Sequence, residues 1–155
     1  MKFEHLIEVN DLANPLQMQL TREELWFGLL CRAEDACIFL PGLEACHIIE
    51  RSEDRLVRDL HFGSAIIRDC VTFDPLHWMR FESEANEEHP GGSLVITIEE
   101  PEPGALFLRF AYQTSLPEGG EEGRYAQFVR SAYHQSDLDT VRVIRMIAQS
   151  RGQAQ

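Results

Sequence analysis

The stretch RLVRDLHFGSAIIRDCVTFD (55–74) decides the fold. Apolar and polar residues alternate on both sides of Gly63-Ser64, and alternation with a period of two predicts a pair of β-strands. A two-residue loop that begins with glycine favours a type II′ turn. This turn places Phe62 opposite Ala65, so that the numbers of every two paired residues sum to 127. The strands over 55–62 and 65–74 therefore form an antiparallel hairpin.

The register of this hairpin places one arginine–aspartate pair on each face. Arg58 lies opposite Asp69, and Asp59 lies opposite Arg68. The first pair shares its face with a run of apolar side chains, and we assign that face to the interior. These apolar residues are Leu56, Leu60, Phe62, Ile67, Val71 and Phe73. A buried ion pair must offset a large desolvation cost, and it serves either structural pairing or ligand recognition.

Further strands are predicted on both sides of the hairpin, separated by turn-forming residues such as Pro101-Glu102-Pro103-Gly104. The seven predicted strands span 2–10, 44–51, 55–62, 65–74, 76–85, 92–100 and 105–116. At Asp74-Pro75 the length of the turn stays open. A two-residue loop brings Trp78 and Arg80 to the interior face, whereas a three-residue loop brings His77, Met79 and Phe81.

Two helical segments complete the pattern. Thr21 and Glu24 form a capping box that predicts a helix over 22–34, and a short apolar turn follows at 38–40. A last helix over about 122–149 places one apolar stripe on a single face. The stripe consists of Tyr125, Val129, Ala132, Tyr133, Val143, Ile144 and Ile147. Ser136 and Thr140 lie within this stripe, and either they present polar groups to a cavity or Ser136-Asp137 kinks the helix as an internal N-cap.

Composition excludes several classes of function. The chain of 155 residues carries 26 acidic and 14 basic side chains, a net charge of −12 that opposes binding to nucleic acid. No apolar run is long enough to cross a membrane, and the first ten residues do not resemble a signal peptide. Four cysteines lack the spacing of a metal site. We therefore expect one cytoplasmic domain over 1–155 with buried free thiols, no metal and no cofactor.

Two further residues are candidates for polar contacts with a ligand. His5 lies among the apolar positions of the first strand, and Tyr112 ends the apolar alternation of the seventh. Neither belongs to a nucleophile, phosphate or zinc motif, and no catalytic residue is assigned. The candidate cavity residues are His5, Arg58, Phe62, Ile67, Asp69, Phe110, Tyr112, Val129 and Tyr133.

The order of elements and four segments together resemble the AtaL-like family of the START/Bet v 1-like (SRPBCC) superfamily. The segments are LTREELW (20–26), FLPGLEAC (39–46), EHPGGSLVITIEEPEPGALFLRF (88–110) and SAYHQSDLDTVRVIR (131–145). This resemblance implies an α+β helix-grip fold, in which a seven-stranded antiparallel sheet curls around a long C-terminal helix. Short helices lie between strands one and two, and the cavity holds an apolar ligand.

Three functions follow as hypotheses. The first is a protein that binds a small hydrophobic or amphipathic molecule between the sheet and the last helix. The second, drawn from the superfamily, is an enzyme of the polyketide cyclase, aromatase or dehydratase type, so enzymatic activity stays open. The third is an interaction module for a protein partner. The sequence also leaves open whether the chain forms a homodimer.

Overall fold

The computed structural model describes residues 1–87, 90–115 and 120–153, without the side chains of 120–123, 125 and 153. Its strands are β1 Lys2–Glu8, β2 Ala45–Arg51, β3 Arg55–Phe62, β4 Ala65–Asp74, β5 Trp78–Ser83, β6 Gly92–Glu99 and β7 Phe107–Thr114. Its helices are α1 Arg22–Glu34 and α2 Gly120–Gln153, with a 3₁₀ turn at Ala36–Ile38. This is the predicted order of elements, including the short helices between β1 and β2.

The strands form one antiparallel sheet in the order β1-β7-β6-β5-β4-β3-β2. The hairpin of β3 and β4 has the predicted register, with Arg58 opposite Asp69 and Asp59 opposite Arg68. Gly63 has a φ of +59°, as the first position of a type II′ turn requires. The interior face is also the predicted one, because Arg58 and Asp69 are buried.

The turn between β4 and β5 has three residues, which settles the alternative that the sequence left open. Asp74 pairs with Trp78, so Met79 and Phe81 point to the interior and are buried. The prediction for His77 was wrong, because this residue lies in the loop and is exposed. Leu76 has a φ of +69°, which is unusual for a residue other than glycine. Three-residue hairpin loops require one left-handed residue, and here no glycine marks it in the sequence.

Several strands are shorter than predicted. β1 ends at Glu8 instead of residue 10, because the N–H groups of Val9 and Asn10 both donate to the carbonyl of Leu106, at 2.8 and 3.1 Å. The chain therefore leaves the β1–β7 ladder two residues early. β5, β6 and β7 are likewise shorter than predicted, and β2 begins at Ala45. Residue 116, predicted to end the last strand, lies outside the described residues.

The capping box predicted for α1 is present. The N–H of Glu24 donates to the Thr21 hydroxyl at 3.0 Å, and the N–H of Thr21 donates to the Glu24 carboxylate at 2.9 Å. Almost two turns into the helix, Gly28 packs directly against Ile144 of α2. A β-carbon at position 28 would lie 2.5 Å from the nearest Ile144 carbon. The two helices approach this closely because residue 28 has no side chain.

Helix α2 runs from Gly120 to Gln153 without interruption at Ser136. Its buried residues are Ala126, Asp137, Thr140, Val141, Ile144 and Ala148. The prediction for Ala132 was wrong, because this residue is exposed and lies about 120° around the helix from Ile144. Tyr133, also predicted to be buried, is 40% exposed. The side chain of Tyr125, for which burial was predicted as well, lies outside the described residues.

The four cysteines are free, but they are not buried as predicted. Cys31, Cys37, Cys46 and Cys70 all have intermediate exposure. Cys31, Cys37 and Cys46 pack against the core clusters, whereas Cys70, on β4, lies on the outer face of the sheet and accepts a hydrogen bond from Arg55. Burial raises the pKa of the Cys31 thiol, so this group stays protonated near neutral pH.

Candidate functional site

A cavity of about 170 Å³ lies between the interior face of the sheet, the end of α1 and the middle of α2. Part of its wall is apolar and is formed by Leu40, Leu60, Phe81 and Leu94. Its polar lining includes Arg32, Arg58, Asp69, Ser83, Ser93, Tyr112, Gln113, Thr114, Tyr133 and Ser136. A cavity of this mixed character suits a ligand with an apolar body and a few polar atoms.

The Arg58–Asp69 pair forms one side of the cavity. The Nε of Arg58 donates to Asp69 Oδ1 at 2.8 Å, and its Nη2 donates to Oδ2 at 2.5 Å, which is a bidentate contact. The Nη1 donates to the carbonyls of Arg32 and Ala33 in the last turn of α1, at 3.2 and 2.9 Å. Arg58 therefore fixes the end of α1 to the sheet, and four of its five N–H groups are engaged within the protein.

Arg32, in that same last turn, has no comparable partners. Its side chain is buried, and its Nε has no hydrogen-bond partner. Its guanidinium carbon lies 4.8 Å from the centroid of the Phe81 ring, and that of Arg58 lies 5.2 Å from the same centroid. Burial lowers the pKa of Arg32 below its usual value, and the nearby Arg58 charge acts in the same direction.

A second polar cluster joins α2 to the two strands at the edge of the sheet. Asp137 accepts a hydrogen bond from the hydroxyl of Tyr112, and it pairs with Nδ1 of His5 at 2.8 Å. Asp137 is 1% exposed, whereas the side chain of His5 is 14% exposed. The ring of His134 lies beside His5, with centroids 4.8 Å apart. The cluster thus links the cavity wall, at Tyr112, to the protein surface.

Burial dominates the electrostatics of this cluster. It raises the pKa of Asp137, although the hydrogen bonds from Tyr112 and His5 act in the opposite direction. Burial and the neighbouring Asp137 carboxylate also raise the pKa of Tyr112 far above its usual value. Tyr112 therefore remains a neutral phenol at any physiological pH. Asp137 is a group that can take up a proton more readily than an exposed aspartate.

The nine candidate cavity residues of the sequence do not all meet at this cavity. Four of them line it, namely Arg58, Asp69, Tyr112 and Tyr133. His5 reaches the cavity lining through Asp137 and Tyr112. Four others lie elsewhere: Phe62 and Ile67 pack on a smaller cluster around Leu43, Phe110 is fully buried in the main core, and Val129 is half-buried on α2.

Sequence reasoning missed Arg32 and Asp137. Arg32 follows Leu25 and Leu29 at helical spacing, so it continues the buried stripe of α1. Asp137 lies four residues after Tyr133 and seven before Ile144, which is the same face of α2. A charged residue within an apolar helical stripe was the available signal in both cases.

Two further features are absent from the described residues. No group of three or more histidine, cysteine, aspartate or glutamate side chains there is placed to hold a metal ion. Neither α1 nor α2, over the described part of the chain, is apolar enough along its length to cross a membrane.

The family model of the acetylaranotin biosynthesis cluster protein L matches residues 7–151. No curated protein sequence matches the chain. Among solved structures, the Zhui aromatase/cyclase from Streptomyces sp. R1128 is 14% identical, with a TM-score of 0.68 over 97% of this chain and 94% of that one.

Two further structures extend the fold comparison. The di-domain aromatase/cyclase StfQ from the steffimycin biosynthetic pathway is 12% identical, with a TM-score of 0.70 over 97% of this chain. The chain spans 51% of that protein. Ara h 8.0201 is 11% identical, with a TM-score of 0.62 over 97% of this chain and 98% of that one. At these identities the likeness shows a shared fold.

Proposed function

The chain belongs to the family of the acetylaranotin biosynthesis cluster protein L, and from this premise we propose that it binds a small, partly apolar molecule in the cavity between the sheet and α2. Residues 1–155 would act as one domain, and the bound molecule would be held rather than anchored covalently. The observation that carries the proposal is the cavity itself, which combines an apolar wall with polar groups from both helices and from five strands.

The size of the cavity limits the ligand. An apolar cavity of about 150 Å³ accommodates benzene, whereas sites for drug-sized ligands span roughly 300–1,000 Å³. The cavity in this chain, at about 170 Å³, is close to the first case. The ligand is therefore about one ring in size, or it is a longer molecule of which a ring-sized end enters.

Benzyl alcohol tests the proposal, because it is a ring-sized neutral probe. We expect titration to shift the amide resonances of cavity residues such as Leu94 and Ser136 in two-dimensional NMR spectra. The variant Ser136→Phe places a ring in the cavity and should abolish the shifts. Ser131→Phe, on the exposed side of the same helix, is the matched control and should leave them unchanged.

Two results would contradict this function. One is the absence of any saturable shift in the wild-type protein. The other is a set of shifts that survives in Ser136→Phe, because the probe would then bind outside the cavity.

The cluster of His5, Asp137 and Tyr112 favours a second candidate, an enzyme of the cyclase or dehydratase type. Such reactions remove a proton next to a carbonyl group, which requires a positioned acid–base group. Here a buried carboxyl of raised pKa lies between a phenol at the cavity wall and an imidazole near the surface. This arrangement supports proton movement from the cavity to solvent.

Exchange of the α-protons of cyclohexanone in D₂O, followed by NMR, tests this second candidate. An enzyme of this type should accelerate exchange over buffer, and Tyr112→Phe and His5→Gln should abolish the acceleration. His77→Gln, in the exposed turn after β4, is the control and should retain it. Exchange at the buffer rate in the wild-type protein would rule out proton abstraction from this probe.

A further inference from the structure

The side chain of Arg32 is a buried cation that forms no ion pair with any residue that the structure describes. The residue is 6% exposed, and its Nε is buried without a hydrogen-bond partner. Among the described residues, none of the hydrogen bonds or ion pairs involves its guanidinium group. The guanidinium carbon lies over the face of the Phe81 ring, 4.8 Å from the ring centroid. A buried charge without a partner is costly, so its presence indicates a partner that binds there.

The nearby carboxylates are already engaged. Both oxygens of Asp69 accept hydrogen bonds from Arg58. Both oxygens of Asp137 are paired, one with Tyr112 and one with His5. Arg58 also contributes positive charge next to Arg32. Asp69 and Asp137 thus attract the Arg32 charge only at a distance, and the oxygens of both carboxylates are already engaged with other groups.

Arg32 also faces the space in which a ligand would lie. It lines the cavity together with Phe81, Tyr112 and Ser136. An arginine fork presents parallel N–H groups that match the two oxygens of a carboxylate. The cavity lining also includes the apolar side chains of Leu60 and Leu94.

We propose that the ligand of this cavity is a compact organic anion, a ring-sized apolar body with a carboxylate that pairs with Arg32. This inference rests on the proposed function, because it assigns the chemistry of the molecule that the cavity holds. The carboxylate would accept hydrogen bonds from the Arg32 guanidinium, and the ring would pack against the leucine side chains. Ser136 would supply a further hydroxyl group from α2.

Benzoate and benzamide provide the test, because they have nearly the same size and shape and differ in charge. We expect calorimetric titration of the full chain to give a dissociation constant at least tenfold lower for benzoate. Arg32→Met retains much of the side-chain volume without the charge, and it should remove this preference. Arg22→Met, at the other end of α1, is the control and should keep it. Because the guanidinium forms no ion pair within the described part of the chain, Arg32→Met should also unfold at the same temperature as wild type or higher.

The outcomes separate this inference from the function on which it rests. Equal affinity for benzoate and benzamide in the wild type would overturn the anion site while leaving the cavity as a binding site. A benzoate preference that persists in Arg32→Met would also overturn it. Failure of benzoate, benzamide and benzyl alcohol alike would overturn both. If Arg32→Met does not fold, a larger rise in wild-type unfolding temperature with benzoate than with benzamide still supports the anion site, and an equal rise contradicts it.

Discussion

Two arginine–aspartate pairs lie side by side on the hairpin of β3 and β4, one on each face of the sheet. Arg58 and Asp69 face the interior, and their side chains are 2% and 3% exposed. Arg68 and Asp59, one register position away, face solvent at 49% and 19%. Both pairs make two N–H···O contacts between the same residue types. The contacts within each pair are therefore alike, and the pairs differ first in burial.

The two pairs also differ in what else they hold. The outer pair links two strands that are already joined by backbone hydrogen bonds. The inner pair reaches beyond the sheet, because Arg58 also binds the carbonyls of Arg32 and Ala33 at the end of α1. The same chemistry thus contributes little on the surface, whereas in the interior it positions a helix against a sheet.

Breaking the inner pair should have the largest effect. Asp69→Ala leaves Arg58 as a buried cation without its carboxylate, and we expect a loss of about 3–5 kcal/mol in the free energy of unfolding. Urea denaturation followed by circular dichroism measures it. Asp59→Ala is the matched change on the outer face, and it should move the urea midpoint by little more than experimental error. Equal losses for the two variants would contradict the comparison.

Replacing both members of the inner pair should cost less than removing one. In Arg58→Met combined with Asp69→Leu no buried charge remains, so most of the loss seen in Asp69→Ala should be recovered. Two carbonyls of α1 still lose their donor, and we expect a residual loss of about 1–3 kcal/mol. The same urea experiment measures this difference. Stability equal to or below that of Asp69→Ala would show that the contacts to α1, rather than the ion pair, dominate.

The outer pair should show its contribution in the pH dependence of stability. The hydrogen bonds from Arg68 lower the pKa of Asp59 below its usual value of 3.8. A carboxyl with a lowered pKa stabilises the folded state above its unfolded pKa, and this stabilisation disappears as the pH falls through the folded pKa. The difference in stability between wild type and Asp59→Asn should therefore shrink below about pH 4. A constant difference from neutral to acidic pH would argue against the ion pair as its source.

The effect of salt on the coupling energy of the two pairs should be the smallest of these differences. Raising the ionic strength from about 0.1 M to about 1 M shortens the screening length from roughly 10 Å to 3 Å. A double-mutant cycle on Asp59 and Arg68 should lose its coupling energy over this range. The corresponding cycle on Arg58 and Asp69 should keep most of its coupling, because solvent ions do not reach it. Equal salt sensitivity of the two cycles would remove the distinction.

The local rules that determine this hairpin made its geometry predictable. Gly63-Ser64 specifies a two-residue turn, the turn specifies the register, and the apolar alternation identifies the interior face. The next turn was not predictable, because its left-handed residue is Leu76 and no glycine marks it. The prediction that residues 9 and 10 belong to β1 was also wrong, because no local signal in the sequence marks the end of this strand. Their departure depends on Leu106, which is distant in the sequence.

The site was less accessible to prediction than the fold. Register placed Arg58 and Asp69 inside, but it did not show that Arg58 uses its remaining donors on α1. The importance of Arg32 depends on a missing partner, which only the packing of three elements reveals. The role of Asp137 depends on its hydrogen bonds with His5 on β1 and Tyr112 on β7, which lie more than 20 residues away in sequence. Local periodicity carries no information on such contacts.

The contact between Gly28 and Ile144 has a consequence for the size of the cavity in which we propose that a ligand binds. Position 28 does not line the cavity, yet it sets how closely α2 approaches α1. Any side chain there would press against Ile144 and act as a wedge between the two helices. We expect residue size at this remote position to tune cavity volume, so that selection could change the preferred ligand while every residue in contact with it stays the same.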